Sequence, residues 1–158
     1  ERFVRRIIKS GHESVLEHAS ITVRFVCDRG VSHEIVRHRI ASYSQESTRY
    51  CDYSRDKFGG EISVIEPEGV ERAAWEEGCA CAEAVYGRMV RSGVSAQMAR
   101  SVLPTCLKTE LIMTANLREW RHFLRLRTSA AAHPQIRALA VELRDKLRAA
   151  VPVVFEDV

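Results

Sequence analysis

Hydrophobic positions change period several times along the chain, and those changes divide it into elements. Phe3-Val4 and Ile7-Ile8 recur at helical spacing, which predicts a helix over residues 2–9 that stops near Gly11. Ile21, Val23, Phe25 and Cys27 then alternate with Thr22, Arg24 and Val26, a period of two rich in β-branched side chains that reads as a strand. Asp28-Arg29-Gly30 reads as a turn. Val31, Ile35 and His38 fall at i, i+4 and i+7, so a short helix is expected over 31–40. Ala41 to Arg55 is polar, rich in Ser and Tyr, and reads as a loop. Phe58-Gly59-Gly60 interrupts the chain, and Ile62 to Ile65 is a candidate short strand. Residues 68–92 carry Ala, Val, Met and Trp at helical spacing, with Gly93 as the C-cap. Ser95 is read as the N-cap of a short helix ending near Pro104. Thr109 to Thr114 fits either period; strand is preferred because a long helix, Leu117 to Arg127, follows at once. A last helix runs from about Pro134 to Ala149, with proline at its first position. The class is α+β, a small mixed or antiparallel sheet with long helices in one domain spanning 1–158.

Composition narrows the setting. With 158 residues, 46% of them apolar, the chain can bury one core. No apolar run is long enough for a bilayer and no signal-peptide pattern opens it, so no membrane partner and a cytoplasmic location are expected. The first residue is Glu1 rather than Met, and further residues are expected ahead of it. Five cysteines, Cys27, Cys51, Cys79, Cys81 and Cys106, form no second pair at zinc-ligand spacing; reduced thiols and no metal site are expected.

Net charge is only +3, yet 20 of the 24 basic residues are Arg. Guanidinium forks grip phosphate and carboxylate in a bidentate way, so a phosphate-bearing partner is one explanation and a GC-rich genome another. An Arg-rich nucleic-acid module would interleave stacking aromatics with the arginines. Aromatics make up 7% and fall largely at core-like positions, so no nucleic-acid partner is expected.

The densest polar chemistry is Arg37-His38-Arg39, followed after seven residues by Ser47 and then Thr48-Arg49-Tyr50. On a helix each residue turns about 100°, which would send Arg37 and Arg39 to nearly opposite sides of His38. The segment Ser42-Tyr43-Ser44-Gln45-Glu46-Ser47 adds donors and acceptors suited to a nucleotide. Ser47 has no partner base evident in sequence and is not read as a nucleophile.

The whole string Arg37 to Tyr50 resembles the signature of the flavin-dependent thymidylate synthases, Arg-His-Arg, seven residues and Ser. Gly11-His12-Glu13-Ser14-Val15-Leu16-Glu17-His18, Ala99-Arg100-Ser101-Val102-Leu103-Pro104 and the run Asn116 to Arg127 resemble further segments of that family in order and spacing. The resemblance covers about residues 1–145, without the family's usual N-terminal strand and helix.

What the resemblance implies is specific. The reaction would be reductive methylation of dUMP to dTMP with 5,10-methylenetetrahydrofolate, FAD and NADPH, in a homotetramer whose active sites lie at subunit interfaces. FAD would meet Ser14, Arg37, His38, Arg39, Gln45, Asn116, Leu117, Arg118 and His122. The dUMP positions would be Glu34, Ile35, Val36, Arg37, Gln45, Glu46, Ser47, Thr48, Arg49, Arg100 and Arg127, with Arg49 and Arg100 at the phosphate. Arg127 is the catalytic candidate, a cation stabilising negative charge on the uracil. Without the resemblance, Arg127 would read as one more solvated Arg on a helix that already holds Arg121 and Arg125. His12 is a candidate on the folate side, and His133 stands displaced from the family's usual histidine. No enzyme thiol is needed, so Cys106→Ser is expected to leave turnover largely intact. A relative of the same fold that has lost activity is the remaining alternative.

Overall fold

The computed structural model describes residues 1–54 and 59–158. In chain order the elements are α1 (Arg2–Lys9), a 3-10 helix (Glu13–His18), β1 (Ser20–Asp28), α2 (Arg29–Ile35), β2 (Ala41–Gln45), α3 (Arg72–Arg91), α4 (Ala96–Ala99), a 3-10 turn (Arg100–Val102), β3 (Lys108–Asn116), α5 (Leu117–Arg127), α6 (Pro134–Ala150) and α7 (Pro152–Phe155). The strands pair in the order β1-β3-β2. Arg29 N donates to Leu107 O and Leu117 N to Ala19 O. The paired positions move in opposite directions along the two strands, so β1 and β3 run antiparallel. This is the α+β class expected, and none of the described helices is long and apolar enough to cross a membrane.

The chain divides into two compact units. The first holds Glu1–Arg24, Glu34–Tyr43 and Ile112–Val158. Its core gathers the apolar faces of α5 and α6, with Trp120, Phe123, Leu124, Ile136, Ala140 and Phe155 fully buried. Trp120 closes its polar end by donating Nε1–H to Ile21 O at 3.0 Å. The second unit holds Phe25–His33 and Ser44–Leu111. There Tyr53, Ile62, Tyr86, Ala99 and Leu107 form a cluster, capped by Met89, Val90 and Leu103.

Several boundaries differ from the expectations, each for a local reason. The Asp28-Arg29-Gly30 turn is instead the start of α2: the buried Asp28 carboxylate accepts from Val31 N at 2.6 Å, an N-cap bond three residues on. The same helix stops at Ile35 rather than near residue 40. Arg37 N and His38 N bond back to Glu34 O and Ile35 O in a tightened last turn, and Tyr43 Oη donates to Ile35 O and His38 O. The Arg-His-Arg triplet therefore lies beyond the helix, so helical rotation does not set where its side chains point. Burial nevertheless alternates there: Arg37 and Arg39 are exposed and His38 is buried.

The expected loop from Ala41 contains strand β2, whose half-buried Ala41, Tyr43 and Gln45 alternate with exposed Ser42 and Ser44. Its period of two is written in polar residues. Arg55 and Phe58, the loop's end and the start of the expected break, lie outside the described residues. Ile62 to Ile65 makes one isolated antiparallel bridge, Val64 to Leu107, rather than a strand. Helix α3 starts at Arg72, not 68, because Gly69 takes a left-handed φ of 82° and the Glu71 carboxylate caps Ala73 N and Ala74 N. At its other end Ser92 is the capping residue, and Gly93 follows with φ 89°. The 3-10 helix Glu13–His18 and α7 were not expected.

Candidate functional site

In the first unit the site is built around α5. Asn116 caps that helix by accepting from Glu119 N at 2.8 Å, which fixes the first turn. One turn on, Glu119, His122 and Phe123 follow, and Arg127 closes the helix. A cavity of about 510 Å³ opens beside it, lined by Glu13, Glu17, Asn116, Arg118, Glu119 and His122 among others. Three of the flavin candidates, Asn116, Arg118 and His122, thus face one space. Ser14 is exposed in the same 3-10 helix as Glu13 and Glu17. Leu117 is the first residue of α5 and half-buried.

Charge in this cavity is largely matched. Arg118 bonds to Glu17, and Arg125 reaches Glu13 at 3.2 Å. By contrast, among the described residues the guanidinium groups of Arg37 and Arg39 form no ion pair or hydrogen bond, so their charge faces outward. Arg121, on the same helix as Arg118 and Arg125, is held quite differently. It is fully buried, and its Nη2 bonds to Asp157 Oδ2 at 2.8 Å while Glu13 lies 3.2 Å away. A buried guanidinium needs such partners, because stripping its water is costly.

The Arg127 guanidinium is held from two sides. Its Nε donates to His38 Nε2 at 3.0 Å, Nη1 to Glu34 Oε2 at 2.8 Å and Nη2 to Glu34 O at 3.0 Å. Those bonds take three of the five N–H donors of a guanidinium, leaving one on each Nη. His38 is 5% exposed, with Nδ1 3.0 Å from Glu119 Oε1. Burial lowers the His38 pKa below its ordinary value, Arg127 adds to that, and Glu119 opposes it. The donor atoms of His38, Glu119 and His122 lie within 4.8 Å of one another, close enough to share a metal ion, although no metal-ligand spacing in the sequence marks them. Both His38 nitrogens are already bonded, so an ion there would have to displace Arg127 or Glu119 from the ring.

Two other candidates in this unit are placed plainly. Ile35 is fully buried, so its side chain belongs to the core, and its carbonyl accepts from Tyr43. Val36 is 36% exposed.

The second unit carries the remaining nucleotide candidates. Gln45 sits on β2 with its amide turned inward, donating to Ser32 Oγ at 2.9 Å and Thr109 Oγ1 at 3.3 Å. Glu46 accepts from Tyr53 Oη at 3.4 Å and faces Lys108 at 3.8 Å. Ser47 O closes a turn by accepting from Tyr50 N and Cys51 N, and its hydroxyl accepts from Arg49 N. Thr48 is buried and takes a 3.3 Å bond from Arg100 Nη1. Arg49 Nε bonds to Gln97 at 3.2 Å while its guanidinium lies 5.3 Å over the Tyr50 ring.

Thr48 and Arg100 line a cavity of about 260 Å³ together with Arg29, His33, Pro104 and Thr105. Arg29 and His33 were missed from sequence. They stand four apart on α2, the spacing that puts side chains on one helix face, but a reading that began the helix at Val31 hid it. Glu119 was missed as well. Glu119 stands three residues after the capping Asn116, a position explained by the helix start alone.

The family model described as "Thymidylate synthase complementing protein" matches residues 1–153. A Geobacter sulfurreducens protein named flavin-dependent thymidylate synthase is 44% identical over 161 residues, covering 98% of this chain and 68% of its own length. Namesakes from Pyrococcus furiosus and Mycobacterium tuberculosis are each 36% identical. They cover 93% and 98% of this chain and 62% and 68% of their own lengths. The chain spans about two thirds of the relatives it matches.

Proposed function

The chain belongs to the thymidylate synthase complementing protein family, and from that premise we propose that it methylates dUMP reductively to dTMP, taking carbon from 5,10-methylenetetrahydrofolate and electrons from NADPH through FAD. The observation that carries this reading is Arg127, a cation fixed by the His38 of the signature triplet and by Glu34, with two N–H groups still to give. Methylation at uracil C5 needs electron density on that carbon, hence negative charge on N3 and the flanking carbonyls. A guanidinium held in place before the reaction stabilises that charge, at about 3 kcal/mol per donor.

The first unit suits a flavin in size and chemistry. Its 510 Å³ cavity falls within the range of about 300–1,000 Å³ usual for small-molecule sites, and its lining mixes amide, imidazole and guanidinium donors. Asn116, Leu117, Arg118 and His122 would hold the flavin with His38 and Ser14. Arg37 and Arg39, exposed and without an ion pair among the described residues, offer their charge to its diphosphate. When bound, FAD supplies the reducing equivalents.

In the second unit Arg49 and Arg100 take the nucleotide phosphate, supported by the polar turn Glu46-Ser47-Thr48 and the cavity at Arg100. The first unit carries its own nucleotide candidates, Glu34, Ile35, Val36 and Arg127. His12, the exposed N-cap of the 3-10 helix, is the folate-side candidate. Small size supports a homotetramer with sites shared between subunits, since one small domain can hardly enclose three large ligands. Val36, Ile40 and Leu126, all 36% exposed or more in the first unit, are candidates for its contacts.

The test has two stages. Purified protein loaded with FAD should show flavin absorbance in the visible that survives desalting. It should then release tritium from C5-labelled dUMP only when NADPH and the folate are both present. Retained flavin without tritium release would identify an inactive relative; no flavin at all would remove the reading.

A further inference from the structure

Glu119 is a buried carboxylate, 7% exposed, that no role described so far requires. Its backbone N–H is tied to Asn116, so the first turn of α5 sets where its side chain goes. That side chain reaches the His38 ring, Oε1 to Nδ1 at 3.0 Å, while the far nitrogen of the same ring faces Arg127 Nε at 3.0 Å. Phe123 packs on the ring with centroids 4.8 Å apart, and His122 stands edge-on at 5.8 Å. The ring has no freedom to choose another partner.

One arrangement of protons satisfies these contacts. A guanidinium carries donors only and stays charged, so His38 Nε2 must present its lone pair to Arg127. A neutral imidazole with a bare Nε2 carries its proton on Nδ1, and that proton points at Glu119, which accepts it as a carboxylate.

We propose that Glu119 is a positioning residue: by accepting the Nδ1–H it locks His38 in the tautomer whose Nε2 anchors the Nε edge of the Arg127 guanidinium. Glu34 holds the Nη edge of the same group, so two carboxylates from different elements, one of them acting through an imidazole, define the plane of the cation. Without Glu119 the ring is free to move its proton to Nε2. An N–H would then meet the N–H of Arg127, and the guanidinium would be pushed out of register. The consequence for turnover rests on the reading of Arg127 given above; the tautomer does not.

Nitrogen-15 NMR of the full chain, labelled at histidine, reads the tautomer directly, with the His38 signal assigned by its loss in His38→Gln. Wild-type protein should show a neutral His38 protonated at Nδ1. Glu119→Ala should move the proton to Nε2, whereas Glu119→Gln, which keeps an acceptor oxygen, should preserve the wild-type pattern. In turnover, Glu119→Ala should lose about 10–100-fold in kcat, by analogy with the loss when the carboxylate that orients a metal-binding histidine is removed. Its KM for dUMP should change by less than about threefold, and Glu119→Gln should recover most of the loss. Thermal unfolding of each variant confirms that it folds.

An Nε2–H signal in the wild type, or an unmoved tautomer in Glu119→Ala, overturns the proposal. So does a moved tautomer with wild-type kcat, if Arg127→Ala is itself inactive. If Arg127→Ala also turns over normally, the catalytic reading of Arg127 fails, and the positioning role for turnover fails with it.

Discussion

His38 lies between Glu119 and Arg127, and burial holds its pKa below the ordinary 6.5. Below about pH 6.5 the unfolded imidazole binds a proton that the folded one still refuses, so the unfolded state gains relative stability as pH falls. The contribution is complete above the unfolded pKa and is lost on descent through the window beneath it. The thermal midpoint should drop between pH 7.5 and 5.5, and His38→Gln should flatten that drop; an unchanged slope would refute the assignment. His122, Glu119, Arg127 and Glu34 all face this ring or its guanidinium partner, so the variant must be compared under identical salt. Thiols give a second check. Burial pushes Cys27 and Cys79 up to about 11, whereas Cys81 is exposed. A disulfide reagent at neutral pH should therefore label Cys81 well before Cys27. At this scale the sequence separated arginines poorly. Arg121 and Arg127 stand on one helix with the same charge. Only packing reveals that Arg121 is sealed against Asp157 and that Arg127 ends on His38. A linear pattern carries no distance between residues 38 and 127.

Helix α5 shows how an element passes geometry to the site. The Asn116 cap sets its first turn, and Glu119, His122 and Arg127 then follow at fixed rotations. Asn116→Ala should cost about 1 kcal/mol in urea unfolding, as cap removal usually does. It should also blur the His38 tautomer signal, because Glu119 loses its anchor. Long helices with apolar periods, α3, α5 and α6, were legible within a few residues of their ends. Strand β2 was not, because its inward positions are Ala, Tyr and Gln and its outward ones Ser, so no hydrophobic contrast marks the alternation. The early stop of α2 was hidden for a related reason: Tyr43, eight residues away, takes the Ile35 carbonyl, and such a bond leaves no local trace. The candidate site was legible in residue types through the signature, but not in contacts. Neither Glu119 nor the pair Arg29 and His33 carries a pattern that separates it from an ordinary helix position.

For the molecule as a whole, the C-terminal segment is held by charge as well as by apolar contact. Asp157 is pulled below the usual carboxylate range by its bond from Arg121, yet its side chain is 49% exposed. Solvent screening reduces what that shift is worth, so Asp157→Asn should lower stability by about 1 kcal/mol. The lost contribution is one that vanishes in the wild type too as pH falls through the depressed Asp157 pKa. Self-association is a separate question of mass. Light scattering should give roughly four times the 17.9 kDa of one chain, and a monomeric, fully active protein would contradict shared active sites. The central claim, however, rests on a single guanidinium. Tritium release from C5-labelled dUMP by Arg127→Ala, at saturating substrates and with flavin absorbance intact, tests it most directly. The rate should fall by about 10²–10³, the loss expected when one fixed donor to a developing anion is removed. Turnover within about threefold of the wild type would contradict the account.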